Sequence, residues 1–404
     1  MLRDELYNNL TTNILPFWIN DMVDHENGGF YGQMDGNGIL RKDADKGCIL
    51  NARILWTFSA AYRVLGDKQY LEMARRAKDY ILAHFIDKEY GGCYWSVDYK
   101  GNPRDTKKQF YAIGFVLYGM SEYVRATGDR DILKLCIDLY HCIEEHATDP
   151  VYGGYIEAQT RSWHEIADMR LSQHDANYPK SQNTHLHIIE PYTNFLRVLR
   201  KSEKCSVSNV KLVQEVEASV RALIDIFCDK ILNPETNHLD LFFNMDWSRS
   251  DVHTESYGHD IECSWLLHEA AFVLGDEAVL RKVEPIVQLV AQASEKGLNP
   301  DGSMTHEANA LTGEKDTDMQ WWVQAEAVVG LYNIHQHFND NSALHKAEHC
   351  WEYIKNNLVD TEHGEWYWCR TPDGQIDHTQ DKAGFWKFPY HNGRMCLEII
   401  ERTT

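Results

Sequence analysis

The chain has 404 residues, 43% of them hydrophobic, and 40 Lys and Arg stand against 61 Asp and Glu for a formal net charge of −21. Such a charge repels nucleic acid and anionic membranes over the whole surface, which excludes both as expected partners and leaves a neutral sugar acceptable. No run approaches the roughly 18 apolar residues of a membrane span, the start Leu2-Arg3-Asp4-Glu5-Leu6 has no secretory pattern, and the 10 cysteines form no Cys-x-x-Cys pair. A cytoplasmic protein with reduced thiols is the expectation, and with no Pro, Gly or Ser-rich linker the chain reads as a single domain over 1–404.

Two turn signatures then recur in register. The first is a tight aromatic hairpin: Gly28-Gly29-Phe30, Gly91-Gly92-Cys93, Gly153-Gly154-Tyr155, weakly Asn237-His238-Leu239, then Gly302-Ser303-Met304 and Gly364-Glu365-Trp366. Most intervals are roughly 62 residues, longer than the roughly 34 to 47 of open helical solenoids. The second lies between hairpins, where Gly66-Asp67, Gly128-Asp129, Gly275-Asp276 and Asn339-Asp340 each end one helical pattern and cap the next. Each unit therefore reads as helix, Gly-Asp turn, helix, ribbon turn. Six units of two helices, none able to bury its apolar face alone, predict an all-α (α/α)6 barrel with short β-ribbon turns.

Chemistry-bearing side chains sit at one phase of this repeat, near the start of each unit's first helix. Unit one offers Arg53 in an otherwise apolar run, where a guanidinium must be paired or aimed at a ligand. Unit two offers Tyr111. Unit three has Asn183-Thr184-His185-Leu186-His187; two residues apart on a helix point different ways, so Asn183 and His187, four apart, are expected on the cavity face. A third ligand at metal spacing does not accompany the His-x-His pair, and no metal is expected. Unit four brings His259, Glu262 and Trp265 onto one helix face, with the carboxylate placed to orient the imidazole. Unit five contributes Trp322 and Glu326, and unit six Trp386 and His391. The polar stretch from Arg161 to Gln182 is expected over the same mouth, as a lid.

Aromatic walls with interleaved polar groups suit a carbohydrate. Glycoside hydrolysis needs two carboxylates flanking the bond, whereas histidines suit proton removal and return at a carbon beside a carbonyl, with Arg53 stabilising the enediolate.

Asn51-Ala52-Arg53-Ile54-Leu55-Trp56, Asn183-Thr184-His185-Leu186-His187, Tyr257-Gly258-His259-Asp260-Ile261-Glu262, Trp321-Trp322-Val323-Gln324-Ala325-Glu326 and Pro389-Tyr390-His391-Asn392-Gly393-Arg394 together resemble the N-acylglucosamine 2-epimerase superfamily over nearly the whole chain. The resemblance implies cofactor-independent epimerisation at C2 of the reducing-end glucose of a β-1,4-linked disaccharide such as cellobiose or lactose. It further implies His259 and His391 as the acid/base pair, with His187 and Arg53 at the enediolate oxygens. Glu262 and Glu326 would orient the histidines or bind the sugar, and Tyr111, Asn183, Trp322, Trp386 and Trp265 would line its subsites. The same residues leave open a monosaccharide or N-acylhexosamine 2-epimerase, an aldose–ketose isomerase and, in other classes, a glycoside hydrolase using Glu190, Glu262 or Glu326, or a non-catalytic sugar-binding protein.

Overall fold

The computed structural model describes residues 2–202, 210–371 and 373–403; of the ten cysteines, Cys205 lies outside them. Six helices form an inner ring: α3 (Cys48–Leu65), α5 (Phe110–Thr127), α7 (Gln182–Ser202), α9 (Tyr257–Leu274), α11 (Trp321–Phe338) and α13 (His391–Arg402). Each packs on the next, and α13 returns to α3, which closes the ring. Outside them run α4 (Lys68–Tyr80), α6 (Arg130–His146), α8 (Val210–Ile226), α10 (Glu277–Ser294) and α12 (Asn341–Asn357), each packed on the inner helix that precedes it. The architecture is the (α/α)6 barrel expected from the repeat.

One element departs from the expected unit. Among the described residues the outer partner of the sixth inner helix is α1 (Leu2–Asn9), which is continued in sequence by α2 (Leu15–Asn20). The sixth hairpin is thus split between the two termini, which ties the ends of the chain to each other.

Burial accounts for the two helix types. An inner helix touches neighbours on every side, so α5 buries all its residues from Phe110 to Val124, whereas α4 and α6 carry one apolar stripe and a polar outer face. Inner helices approach closely where glycine permits: a Cβ on Gly114 would lie 2.6 Å from the His187 carbonyl, and one on Gly119 2.6 Å from that of Ala52.

Both turn signatures appear as expected. Gly66, Gly128, Gly275 and Asn339 end their helices at φ of 79°, 75°, 71° and 58°, and Asp67, Asp129, Asp276 and Asp340 accept backbone N–H groups at the start of the next. All six aromatic turns carry an equivalent antiparallel bridge: Val23 to Phe30, Ile86 to Cys93, Thr148 to Tyr155, Leu232 to Leu239, Leu298 to Met304 and Val359 to Trp366. Buried lysines lock several of these turns. Lys46 bonds Asp24 and the Gly28 carbonyl, Lys108 bonds Asp87 and Gly91, and Lys180 bonds Asp149 and Gly153. Among the described residues no helix is long and apolar enough to cross a membrane.

Candidate active site

The inner helices α3, α7, α9, α11 and α13 begin at one end of the ring, and there they surround a cavity of about 390 Å³. Its lining includes Arg53, Tyr111, Asn183, His187, His259, Glu262, Trp322, Trp386 and His391, so nine of the side chains singled out in the sequence converge on one hollow of ligand size. The irregular segment before α7 contributes Leu171, Ser172, His174 and Asp175 to the same lining, where the lid was expected. It is held by the Gln109 side chain, which donates to the carbonyls of Met169 and Arg170 at 3.0 and 2.8 Å.

Arg53 is buried, and its guanidinium lies against aromatic rings, 3.9 Å from the centroid of Phe115 and 4.2 Å from that of Phe388. Its Nη2 donates to the Tyr111 hydroxyl at 2.8 Å, and Nε has no partner among the described residues. A cation so placed has donors left for a ligand. Asn183 Oδ1 is likewise buried without a partner there.

Each imidazole is held through Nδ1 by a different group. His187 faces Glu190 Oε2 at 3.0 Å, His391 faces Glu326 Oε1 at 2.6 Å, and His259 faces the Ser256 hydroxyl at 2.8 Å. Pinning Nδ1 leaves Nε2 as the nitrogen free for the cavity. Trp322 stands beside two of the rings, with centroid separations of 5.0 Å to His259 and 5.6 Å to His391. His185, by contrast, turns away: Nδ1 meets the Ser181 carbonyl and Nε2 accepts from the Tyr155 N–H, which separates the two members of the His-x-His pair.

Beneath the cavity lies a charge cluster that the sequence reading did not find. Arg394, fully buried, donates from Nη2 to Glu262 and Glu326 at 2.6 Å each and from Nη1 to Glu190 and the Tyr390 hydroxyl. Two expectations change here, those for Glu262 and Trp265. Glu262 does not orient His259; the arginine across the barrel axis attracts its carboxylate more strongly than a neutral imidazole on its own helix. Glu326, expected to orient a histidine or to bind the sugar, is absent from the cavity lining and bonds His391 Nδ1 from behind. Trp265 is also behind the lining, donating to Glu326 Oε2 at 3.0 Å with its ring against Arg394; its spacing shares a face with His259 and Glu262, but one further turn along α9 places it below the cavity floor. Glu262, Glu326 and His391 bring potential metal ligands within 4.8 Å of one another, yet the Arg394 guanidinium already supplies the positive charge between the carboxylates. The signal for Arg394 was present: a charged residue four positions after Tyr390 in a helix with no other reason to bury one.

The electrostatics follow from burial. His187 and His259 are held well below the usual histidine range, first by desolvation; the Arg53 and Arg394 charges lower His187 further, and for His259 the nearby imidazoles of His306, His187 and His391 disfavour a shared accumulation of charge. Burial lowers His391 too, against the opposing pull of Glu326. Desolvation and the Glu326 charge push the Glu262 carboxyl up, while Arg394 and His391 hold Glu326 down in spite of its burial. The outcome is a cavity walled by neutral imidazoles over a cluster of compensated charges, with Arg53 the cation facing inward. Such a site favours an anion that develops during reaction.

Residues 29–394 match the family model for N-acylglucosamine 2-epimerase (GlcNAc 2-epimerase). The chain is 54% identical over 400 residues to a cellobiose 2-epimerase of Bacteroides fragilis, covering 99% of each, and 40% identical over 408 residues to one of Ruminococcus albus, covering 100% of this chain and 99% of that protein. Its fold superposes on the solved structure of cellobiose 2-epimerase from Bacillus thermoamylovorans B4167 with a TM-score of 0.92, 40% identity and 99% of each chain covered. The chain belongs to the N-acylglucosamine 2-epimerase family.

Proposed function

We infer that the protein epimerises cellobiose at C2, converting the reducing-end glucose to mannose, and lactose to epilactose by the same step, with residues 1–404 acting as one catalytic domain. The observation that carries this reading is the convergence of His187, His259 and His391 with Arg53 on one cavity.

The chemistry uses side chains throughout. The sugar ring opens to the aldehyde, with His187 assisting. One of His259 and His391 takes the C2 proton, and the electron pair of that C–H bond passes into the C1–C2 bond as an enediolate. Arg53, fixed by Tyr111, stabilises the oxygens of that anion, together with the Nε2–H that His187 carries once it has taken the O1 proton in ring opening. Rotation about C2–C3 presents the other face; the second histidine, charged by a proton taken up from solvent, delivers that proton to C2, and the first histidine releases to solvent the proton it removed. The aldehyde re-forms and the ring closes. The two histidines exchange roles with the direction of reaction. Trp322 and Trp386 border the sugar with apolar faces, and Asn183 and Glu262 meet its hydroxyls.

A hydrolase is disfavoured. Glu190, Glu262 and Glu326 all bond Arg394, and of these only Glu262 lines the cavity, so these three do not supply the pair of carboxyls that hydrolysis needs. Incubation with cellobiose in deuterated water tests the reading. The expected product is glucosyl-mannose carrying deuterium at C2, lost in His259→Ala and in His391→Ala. A ketose or free glucose as the main product, or near-normal epimer formation in either variant, would overturn it.

A further inference from the structure

In the first three aromatic turns the two residues before the bridge are both glycine, with positive φ: 83° and 62° at Gly28 and Gly29, 80° and 63° at Gly91 and Gly92, 73° and 77° at Gly153 and Gly154. The sixth turn has the same backbone, 76° at Gly364 and 61° at the next position, but that next position is Glu365. A long side chain in the left-handed region costs about 1 kcal/mol or more. The fold retains it where glycine serves elsewhere.

The Glu365 side chain explains why. It is fully buried, and its two oxygens are divided among three parts of the molecule. Oε1 accepts from Asn392 Nδ2 at 2.6 Å and from Lys387 Nζ at 2.7 Å, and it also receives the Trp366 N–H at 2.9 Å; Oε2 accepts from Trp18 Nε1 at 2.6 Å. Asn392 follows His391 directly. Lys387 lies between Trp386 and Phe388, two walls of the cavity, and its ammonium sits 4.1 Å over the ring of Trp321, a third. Trp18 belongs to α2, the helix that closes the barrel from the N-terminal side.

We propose that Glu365 is a positioning residue for catalysis: from its strained turn it fixes the start of α13, and with it His391, together with the Trp386–Phe388 wall, against the reducing-end sugar. The proposal rests on the acid/base role given above to His391. A residue needed at that φ only for its backbone would be glycine, as in the first three turns; the carboxylate is what the sixth turn adds, at the place where the chain must align a proton-transferring imidazole across the junction of α13 and the N-terminal helices.

The test removes the carboxylate while relieving the turn. In Glu365→Gly/Lys387→Met the backbone regains the glycine of the other turns, and no buried ammonium is left uncompensated. The readout is the ratio of deuterium washed into recovered substrate to epimer formed, measured in deuterated water from cellobiose and from glucosyl-mannose. This ratio does not depend on how much of the sample is folded. Misplacing His391 favours return of the proton by the partner histidine, so the ratio rises about tenfold in the direction where His391 acts second, with kcat falling more than KM changes. Asn392→Ala cuts the same link, leaves the Glu365–Lys387 pair intact, and is expected to shift the ratio the same way. Trp18→Phe breaks only the contact to α2 and is expected to lower the melting temperature with the ratio unchanged. If both the double variant and Asn392→Ala keep the wild-type ratio in both directions while His391→Ala forms no epimer, Glu365 is structural and the proposal falls. If His391→Ala still forms epimer, the fault lies in the role assigned to His391.

Discussion

Glu326 Oε1 stands 2.6 Å from His391 Nδ1, and the same oxygen receives Arg394 Nη2 at 2.6 Å. One carboxylate atom thus fixes the tautomer of an imidazole and neutralises a buried guanidinium. His259 has only a hydroxyl for the equivalent task, that of Ser256. Glu326→Gln keeps an acceptor but removes the charge, and its amide meets the donor Nε1–H of Trp265. The expected loss in kcat is about 10- to 100-fold, as for partners that orient metal-bound histidines. Ser256→Ala removes a neutral hydrogen bond and is expected to cost less than Glu326→Gln. Steady-state rates on cellobiose decide it; equal or reversed losses would contradict the assignment of the stronger positioning group to His391.

Arg394 bears on stability before it bears on chemistry. Its side chain is fully buried and bonds three buried carboxylates and a tyrosine hydroxyl. In Arg394→Met the apolar volume is nearly kept but the carboxylates lose their counter-charge. Breaking a buried pair in this way costs about 3–5 kcal/mol, and here several pairs break together. Denaturant titration is expected to show that loss with an unchanged slope. A variant within about 1 kcal/mol of the parent would mean that protonation of Glu262 and Glu190 relieves the cluster unaided.

Gln109 connects the lid to the wall beneath it. Both of its bonds run to carbonyls of the segment that contributes Leu171, Ser172, His174 and Asp175 to the cavity. In Gln109→Ala the lid loses this attachment while the residues on the inner helices stay in place. KM for cellobiose is expected to rise severalfold with kcat changed less than twofold, a loss of about 1 kcal/mol from two neutral hydrogen bonds. An unchanged KM would show that the lid is held by its other contacts.

The repeat carried most of the architecture in the sequence, because glycine in the left-handed conformation and aspartate at a helix start are local requirements that leave local marks. Gly66-Asp67 and Gly128-Asp129 are legible without knowing what surrounds them. The phase of the site residues was legible for the same reason: Asn183 and His187 are neighbours on any helix, and a pattern of two told His185 from His187 before any packing was known. What escaped was set by contacts between distant segments. Glu262 could not be assigned to Arg394 rather than to His259 without knowing that ring closure brings the start of α13 within reach of α9. The pairing of α1 with α13 depends on ring closure, which no local pattern records. Glu365 was visible as an odd member of a glycine series, but its partners Trp18, Lys387 and Asn392 are brought to it only by the closed barrel.

The acid side of the stability profile follows from histidines kept neutral inside the fold. His185 shows the reason most clearly: it is fully buried, its Nδ1–H donates to the Ser181 carbonyl, and its Nε2 accepts from the Tyr155 N–H, so both ring nitrogens are committed to the neutral tautomer. Burial lowers it from 6.5 to about 4. Because the folded value lies below that of the unfolded chain, the unfolded state binds the extra proton first; this contribution to stability is complete above about pH 6.5 and drains away as the pH falls toward 4, by about 3 kcal/mol for this residue. His268, lowered to about 4 mainly by burial, adds to the same slope. Melting temperature is therefore expected to fall steadily between pH 6.5 and 4, with a shallower fall in His185→Gln, where nothing titrates at that position. A wild-type profile flat across this window would mean that His185 takes up its proton without breaking either bond, which its position between a carbonyl and an amide N–H forbids.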